Sequence, residues 1–244
     1  MIYPLVSVVM PVYNTEPFLK YSIESILNQS YTNFEFIIIN DGSTDKSEEI
    51  IKTYKDERII YIKNDNNIKL IQTLNKGLKI ARGKYIARMD SDDIALKDRL
   101  KLQVEFMEKH TNFVVCGSWA KSFGFENKII KTPVSNTDII NEMIVKSPII
   151  HPTALIKKEV LDKYNINYDE KFKHVEDYKL WYDLSKHGLL YNLPIILLEY
   201  RISNNQVSYK YNNIQHLNTA IVRRLMLDDY LSSKNYKMYS VINI

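Results

Sequence analysis

Short apolar runs alternate with amphipathic segments along the first half of the chain. Four of the runs predict strands that are covered on both faces, at 5–10, 34–40, 58–63 and 84–89. Between them, apolar residues recur every three or four positions and predict helices at 17–29, 43–54 and 69–81. This β-α-β-α-β-α-β order predicts the α/β fold class, with a mostly parallel central sheet flanked by helices.

The second half of the chain is less regular. An amphipathic helix is expected after Leu96. The other predicted elements are a strand at 113–119, helices at 136–146 and 176–187, a strand at 194–202 and a tail helix at 214–232. No linker separates these elements into independent domains.

Polar residues follow three of the predicted strands. They are Tyr13 and Asn14 after the first strand, residues 40–45 after the second and residues 90–93 after the fourth. In open parallel sheets, ligands bind outside the carboxyl ends of the strands. Three polar strand ends in such a sheet therefore predict one binding site along a single edge.

The last of these clusters concentrates negative charge. Asp90, Asp92 and Asp93 lie within four residues, and like charges at that spacing repel one another. Hard divalent cations such as Mg²⁺ and Mn²⁺ bind carboxylate oxygens together with substrate phosphates, so the cluster predicts a metal that bridges a diphosphate. The alternative is a solvated acidic loop before the next helix, with Asp93 as a turn residue.

The other candidate residues each have two interpretations. Asp41 could accept a hydrogen bond from a nucleobase N–H, or it could form an Asx turn and cap a helix. His151 could approach a donor or a metal, or it could be a core histidine. Glu176 and Asp177 begin a predicted helix, where a carboxylate could act as a general base or simply stabilise the helix dipole.

Composition narrows the class of protein. The 244 residues are 45% hydrophobic and the single cysteine, Cys116, excludes an internal disulfide and is expected to be buried. The net charge of +4 is scattered, which suits an anionic ligand or acidic lipid and argues against nucleic acid. Pro4 and Pro11 interrupt the N-terminal apolar run, and no run reaches the roughly 20 residues of a spanning helix. We therefore expect a cytoplasmic protein that is not integral to a membrane.

Five motifs occur in the order and spacing of a known family. They are VSVVMPVYN, SILNQSYTNFEFIIINDGSTD, ARGKYIARMDSDD, HPTALI and EDYKLW. Over about residues 5–205 the chain resembles the family 2 inverting glycosyltransferases, in particular bacterial enzymes that build capsular or lipopolysaccharide chains. The resemblance implies a GT-A domain at 1–205, with a nucleotide-sugar half at about 1–95 and an acceptor half at about 96–205, followed by a helical extension at 206–244.

The resemblance also implies roles for the candidate residues. Asp177 matches the catalytic base, with Glu176 as the second choice, and Asp92 matches the direct metal ligand, assisted by Asp90. A position close to the donor is implied for His151, and Arg201 could contact the diphosphate or form a structural ion pair. The nucleotide-binding residues would be Pro11, Tyr13, Asn14, Asp41, Asp90 and Ser91, with uracil the most frequent base. Lys69, which departs from the family, could reach the diphosphate or could be solvated.

The implied reaction moves a sugar from a nucleotide-diphospho-sugar, most often UDP-linked, to a glycan or lipid-linked glycan, with Mn²⁺ or Mg²⁺. Two positions depart from the family. Lys69 stands where glycine is frequent, and Ser203 stands where many relatives have a histidine.

The tail could pack on the domain, pair two copies, or rest on the inner face of the membrane. The stretch 123–136 does not reveal the acceptor.

Two alternatives from other classes remain at this point. The protein could bind a sugar nucleotide without transferring the sugar. It could also be a nucleotidyltransferase, but the first strand and its following turn contain no glycine, whereas that class expects a glycine-rich phosphate loop. A processive synthase is disfavoured because no spanning helices are predicted.

Overall fold

The computed structural model describes residues 5–202 and 212–233. Its strands are β1 Val6–Val12, β2 Phe34–Asn40, β3 Ile59–Lys63, β4 Tyr85–Arg88, β5 Ile94–Ala95, β6 Phe113–Gly124, β7 Ile129–Ile130, β8 Leu155–Lys157 and β9 Leu189–Ile202. Its α-helices are α1 Glu16–Leu27, α2 Ser47–Thr53, α3 Leu70–Ile80, α4 Arg99–Lys109, α5 Asn136–Met143, α6 Lys158–Tyr164, α7 Glu176–Ser185 and α8 Asn212–Ser233. Two short 3₁₀ helices lie at His151–Thr153 and Glu170–Phe172.

The strands of the described residues form one sheet. Its order is β3-β2-β1-β4-β8-β6-β9-β5, with β7 paired to β6 outside this path. β1 to β4 are parallel, β8 runs antiparallel between β4 and β6, and β9 is parallel to β6. Since β6 and β9 run in the direction of β4, most of the sheet is parallel, and the predicted α/β class is confirmed.

Both faces of the sheet are covered, as the continuous apolar runs predicted. Val9, Ile37 and Ile39 belong to one buried cluster, together with apolar residues of α3, α5, α6, α7 and α8. Val8 and Ile38, their neighbours along the strands, point into a second cluster with residues of α1, α2 and α4. Cys116 is a buried free thiol, as predicted.

The helix α2 begins later than predicted, at Ser47 rather than residue 43. The preceding amides bind side chains instead of opening the helix. The N–H of Ser43 donates to Asn40 Oδ1 at 2.9 Å, and that of Thr44 donates to Asn14 Oδ1 at 2.8 Å. The turn after β2 is therefore held by polar side chains from the same edge of the sheet.

Other differences from the prediction arise from short elements. Strands β5 and β7 have two residues each and α6 has seven, which is too few for a periodic pattern to stand out. The closing strand β9 begins at Leu189 rather than residue 194 and pairs with β6 along most of its length. β5 pairs with the distant β9, whereas β7 pairs with β6 just before it in the chain.

The tail helix is present where it was predicted. α8 packs on α7, with Val222 fully buried and the Asn218 amide donating to the Lys173 carbonyl at 2.8 Å. Ser203 and the rest of the tail lie outside the described residues. Among the helices of the described ranges, none has the length and apolar character needed to cross a bilayer.

Candidate active site

The three polar strand ends meet at one edge of the sheet. β1 lies between β2 and β4 and is parallel to both, so their carboxyl ends are adjacent. The Asp41 N–H donates to the Val12 carbonyl at 2.8 Å, and the Met89 N–H donates to the Val9 carbonyl at 3.1 Å. The structure thus brings residues 13–14, 40–45 and 90–93 together, as predicted.

Asn14 locks the first strand end to the second. Its backbone has a φ of 52°, its N–H donates to Ser43 Oγ at 3.1 Å, and its side chain accepts from Thr44. Tyr13, just before it, is 47% exposed and presents its ring at the surface of this edge. Pro11 lies within β1, opposite Ile39 of β2.

Asp41 is buried and already carries structural hydrogen bonds. Its carboxylate accepts from the Asn64 amide at 2.8 Å, from the Ile68 N–H at 2.9 Å and from the Lys69 N–H at 3.0 Å. Gly42 follows with a φ of 70°, and a Cβ there would lie 2.8 Å from the Asn66 backbone. Asp41 therefore orders the loop before α3 in addition to any contact with a ligand.

Lys69 occupies a backbone conformation that normally requires glycine. Its φ of 75° and ψ of 161° lie in a region that costs a residue with a side chain of order 1–3 kcal/mol. The bond from its N–H to Asp41 helps to hold this conformation. Its side chain is exposed at the N-terminus of α3.

A buried arginine lies beneath the acidic cluster. Arg88, the last residue of β4, is 2% exposed, and its guanidinium pairs with Asp90 at 2.5 Å. Although burial alone lowers the pKa of Arg88, the Asp90 carboxylate raises it above the ordinary value. A second buried arginine, Arg99, donates to the Arg88 carbonyl at 2.7 Å. Arg88 was not among the predicted site residues. A charged residue inside a continuous apolar run was the feature that could have pointed to it.

The pKa values of the other two carboxylates of the cluster, Asp92 and Asp93, are raised. Burial, and then repulsion from Asp90, raises the pKa of Asp92 to about 6. The same causes raise the pKa of Asp93, which is 1% exposed, well above its ordinary range. Asp93 Oδ1 accepts from the Arg201 N–H at 2.8 Å, whereas its Oδ2 has no hydrogen-bond partner. Asp93 is thus a buried anchor rather than a solvated turn residue.

Arg201 holds the acidic loop from the end of β9. Its guanidinium lies between two aromatic rings, 3.9 Å from the centroid of Phe18 and 4.3 Å from that of Phe123. Its Nε donates to the main-chain carbonyl of Asp92 at 2.9 Å. These contacts position the loop through its backbone.

The acidic loop fits a divalent cation whose coordination is completed by substrate. No group of three or more histidine, cysteine, aspartate or glutamate side chains in the described ranges is arranged to hold a metal by itself. Asp90 and Asp92 supply two carboxylates, and Oδ2 of the neighbouring Asp93 is buried without a hydrogen-bond partner. A cation would offset the burial, and then the repulsion from Asp90, that raise the pKa of Asp92. Cations such as Mg²⁺ often bind one or two carboxylates plus phosphate oxygens.

The two acidic residues of α7 lie in the first turn of that helix. Asp177 Oδ2 accepts from the Ser147 hydroxyl at 3.1 Å, and burial raises the pKa of Asp177. Glu176 is 8% exposed; burial, and then the charge of Asp177, raises its pKa to about 7. The charge of Arg88 opposes both shifts, so the same buried cation acts electrostatically on the α7 carboxylates and on Asp90.

His151 packs with aromatic side chains. Its Nε2 is 2.8 Å from the Tyr168 hydroxyl, and its ring centroid is 6.0 Å from that of Trp181. Burial, and then the charge of Arg88, lowers the pKa of His151 well below the ordinary value. The imidazole is therefore neutral.

Comparison with known proteins identifies relatives of this chain. The sequence pattern of Glycosyl transferase family 2 matches residues 7–165. An uncharacterized glycosyltransferase of Haemophilus influenzae is 37% identical, over 94% of this chain and 75% of its own. UDP-Glc:alpha-D-GlcNAc-diphosphoundecaprenol beta-1,3-glucosyltransferase WfgD of Escherichia coli is 31% identical, over 84% of this chain and 79% of its own.

Solved structures share the fold. S. aureus TarS 1-349 in complex with UDP-GlcNAc superposes with a TM-score of 0.75 and 18% identity, over 93% of this chain and 72% of that one. Mannosyltransferase PcManGT from Pyrobaculum calidifontis, in complex with GDP-Man and Mn²⁺, gives a TM-score of 0.70 and 15% identity, over 94% of this chain and 65% of that one. With its GT-A fold and this sequence match, the chain is a glycosyltransferase and belongs to Glycosyl transferase family 2.

Proposed function

We propose that this enzyme transfers a sugar, with inversion, from a nucleotide-diphospho-sugar to a hydroxyl of a glycan or lipid-linked glycan in bacterial surface polysaccharide synthesis. One observation carries the proposal: the buried Arg88 pairs with Asp90 of the acidic loop, and its charge also acts on both α7 carboxylates. A metal-bound diphosphate and an acceptor hydroxyl could therefore meet there. UDP is the favoured nucleotide because the names of WfgD and the TarS complex specify UDP-sugars.

The nucleotide would bind along the edge formed by β1, β2 and β4. The exposed ring of Tyr13 would contact the base or ribose, with Pro11 and Asn14 shaping the same pocket. The proposed role of Asp41 is recognition of the base by the carboxylate that also orders the loop before α3. Ser91, inside the acidic loop, would contact the donor.

Asp92 and Asp90 would hold Mn²⁺ or Mg²⁺ together with the diphosphate. When bound, the cation stabilises the negative charge that develops on the leaving diphosphate. Mn²⁺ is present in the PcManGT complex. Lys69 and Arg201 are the proposed cationic contacts of the diphosphate, with Lys69 approaching from the N-terminus of α3. His151 would shape the donor pocket as a neutral group.

Asp177 is the proposed general base. The Ser147 hydroxyl orients its carboxylate, and the pKa of Asp177, raised by burial, strengthens it as a proton acceptor. Asp177 takes the acceptor hydroxyl proton as the acceptor oxygen forms its bond to the anomeric carbon. The bond from that carbon to the phosphate oxygen breaks at the opposite face, and the nucleoside diphosphate leaves with the electron pair. Glu176, more deeply buried, is the second candidate for the base.

Nucleotide binding tests the donor half of the proposal. Calorimetry with UDP, GDP, dTDP and CDP, each with Mn²⁺ and with chelator, should give one metal-dependent complex. Asp92→Asn should abolish the effect of Mn²⁺, whereas the exposed Asp65→Asn should bind like the wild type. Release of pyrophosphate from a nucleoside triphosphate would instead identify a nucleotidyltransferase. Donor binding without transfer to any acceptor would identify a binding protein.

Location and assembly are part of the proposal. We place the enzyme in the cytoplasm, where nucleotide-sugars would reach it, at the inner face of the membrane when its acceptor is lipid-linked. We also propose that the C-terminal tail pairs two copies of the enzyme.

A further inference from the structure

A fully buried asparagine on β9, Asn192, joins the segments on the two sides of α5 to the sheet. Its side-chain amide donates to the Pro133 carbonyl at 2.7 Å and to the Pro148 carbonyl at 3.0 Å. Its main-chain N–H donates to the Val134 carbonyl at 3.2 Å. Pro133 and Val134 lie just before α5, and Pro148 lies after it. One residue thus holds both ends of this part of the chain.

The neighbouring strand β6 leaves room for this side chain at Gly117. Gly117 pairs with Asn192, and a Cβ at Gly117 would lie 2.1 Å from Asn192 Oδ1 and 2.8 Å from a methyl carbon of Ile149. A larger residue at 117 would therefore displace the amide. Asn192 Oδ1 is buried and has no hydrogen-bond partner among the described residues. The side chain thus acts through Nδ2, which donates to both carbonyls.

The segment after α5 carries the hydroxyl that orients the proposed base. Ser147 directly precedes Pro148, and its Oγ donates to Asp177 Oδ2 at 3.1 Å. The same Oγ lies 3.4 Å from the Ile149 carbonyl. A hydroxyl has a single proton to donate, so the position of the Ser147 backbone decides how well that proton is directed at Asp177.

Proline makes the connection between the two residues stiff. The ring of Pro148 fixes its φ angle and also restricts the backbone of Ser147 before it. A shift of the Pro148 carbonyl is therefore passed on to Ser147 rather than absorbed by rotation between them. The bond from Asn192 to that carbonyl holds the Ser147 hydroxyl in register with α7.

We propose that Asn192 is a positioning residue for sugar transfer, which fixes the Ser147–Pro148 segment so that the Ser147 hydroxyl is directed at Asp177. The inference rests on the proposed function, in which Asp177 is the general base. Asn192 takes no proton in this role and acts only through Ser147.

A double-mutant cycle separates positioning from general stabilisation. Asn192→Ala and Ser147→Ala should each lower turnover by about 10- to 100-fold, because a misplaced catalytic group loses that much. The combined variant should lose no more than either single one, because Asn192 acts through Ser147. UDP affinity, measured by calorimetry, should stay within about twofold in all three. Release of UDP from UDP-glucose and from UDP-N-acetylglucosamine, with water as the acceptor, measures turnover.

Two further variants accompany the cycle. Asn192→Ser keeps one donor, should lose less turnover than Asn192→Ala, and replaces it in the cycle if the alanine variant does not fold. Asn136→Ala is the matched control. The Asn136 side chain accepts from the Leu190 N–H of β9 at 2.9 Å, so it joins the start of α5 to the same strand without a bond to Pro148. Its turnover should stay within about twofold of the wild type.

Crystal structures of the wild type and of Asn192→Ser test the positioning without an activity assay. The distance from Ser147 Oγ to Asp177 Oδ2 should increase beyond about 3.5 Å in the variant. An unchanged distance would overturn the proposal. So would losses of turnover that multiply in the double variant, or an Asn136→Ala variant that loses as much as Asn192→Ala.

Failure of the proposed function has a different signature. A wild type that releases no UDP from either donor, or an Asp177→Asn variant with full turnover, would contradict the proposed function. The two crystal structures still decide whether Asn192 positions Ser147.

Discussion

Two carboxylates at the start of α7 share one helical turn but differ in their surroundings. Asp177 is oriented by a hydroxyl, whereas Glu176 is 8% exposed and its pKa is raised to about 7. A base needs an oriented lone pair and access to the acceptor. Asp177 is the better candidate for the base on both counts. Glu176 would instead change its protonation state near neutral pH.

Asp177→Asn removes the proposed proton acceptor and keeps the shape of the side chain. Turnover should fall by about 10²–10⁴-fold, the usual contribution of general-base assistance. Affinity for the nucleoside diphosphate should stay within about twofold, because its proposed contacts lie on other elements. Asp183→Asn, on the same helix but paired with Lys179 at 2.6 Å, is the matched control. Full turnover in Asp177→Asn would assign the base to another group.

Glu176→Gln should stabilise the protein in a pH-dependent way. Burial raises the pKa of Glu176 from 4.5 to about 7, so the folded state holds this proton more tightly than the unfolded chain. That stabilisation is complete below pH 4.5 and is lost as the pH rises to about 7. The variant stays neutral, so its advantage should be near zero at acid pH and reach about 3 kcal/mol at pH 8. Urea unfolding at both pH values measures it; an equal advantage at both would contradict the assignment.

Lys69 combines backbone strain with an exposed charge at the proposed donor edge. Lys69→Gly relieves strain of about 1–3 kcal/mol and costs about 1 kcal/mol in chain entropy, so stability should rise slightly. Nucleoside diphosphate binding should weaken by roughly 1 kcal/mol as the cation is lost. Urea unfolding and calorimetry measure the two effects. Asn165→Gly changes another residue of positive φ, 51°, away from this edge and should leave nucleotide binding unchanged. Undiminished nucleotide binding in Lys69→Gly would remove Lys69 from the donor site.

At the level of elements, the acidic loop after β4 depends on a strand that is distant in sequence. β9 supplies Arg201, which bonds the Asp92 carbonyl and the Asp93 carboxylate and lies between two aromatic rings. The proposed metal ligands are therefore oriented by the second half of the chain. This long-range support explains why a loop of repelling charges can be ordered.

Arg201→Lys keeps the charge and loses the Nε bond to Asp92 and the planar stacking. Because a hydrogen bond to a charged group is worth about 1.5–3 kcal/mol, Mn²⁺ affinity in the presence of nucleotide should fall about tenfold or more. Electron paramagnetic resonance of bound Mn²⁺ measures this. Arg82→Lys, whose side chain is 55% exposed and pairs with Glu35, is the control. Equal Mn²⁺ affinity in both variants would show that Arg201 does not order the loop.

The parts of the fold that sequence analysis predicted are those with local signals. β2 coincides with its apolar run at residues 34–40, because a strand buried on both faces must be apolar throughout. β5 and β7 were missed because two residues are too few for a pattern; β5 also depends on a distant partner, since Ile94 pairs with Glu199, whereas β7 pairs locally with β6. Arg88 was missed for a related reason: whether a charged strand residue is buried depends on the sheet and helices around it.

At the scale of the whole molecule, α8 packs against α7, the helix that carries the proposed base. Val222, Leu225 and Met226 pack into the same apolar cluster as α7. Tyr182 on α7 donates to Asp229 on α8, and Lys186 bonds the same carboxylate at 2.6 Å. The helix that carries the proposed base is thus supported by the end of the chain.

Val222→Asp should loosen α8 by placing a charge in this apolar contact. We expect a loss of about 3 kcal/mol in the free energy of unfolding, since a fully buried valine contributes about 2 kcal/mol and a buried charge adds a penalty. Turnover should fall while nucleotide affinity is kept. Ala220→Asp, at an exposed position of the same helix, is the control. Thermal unfolding and calorimetry separate these effects; parallel loss of nucleotide binding would mean that α8 supports the whole domain.

The position of Asp41 has a consequence for anyone who would re-engineer the nucleotide preference. Its carboxylate accepts hydrogen bonds from the Asn64 side chain and from two backbone amides of the loop before α3. A substitution meant to change base selectivity at Asp41 would therefore dismantle the loop that carries Lys69. The proposed role in base selectivity and the observed role in the scaffold thus fall on one side chain. A directed-evolution library would explore more functional variants if it diversified Tyr13 and held Asp41 constant.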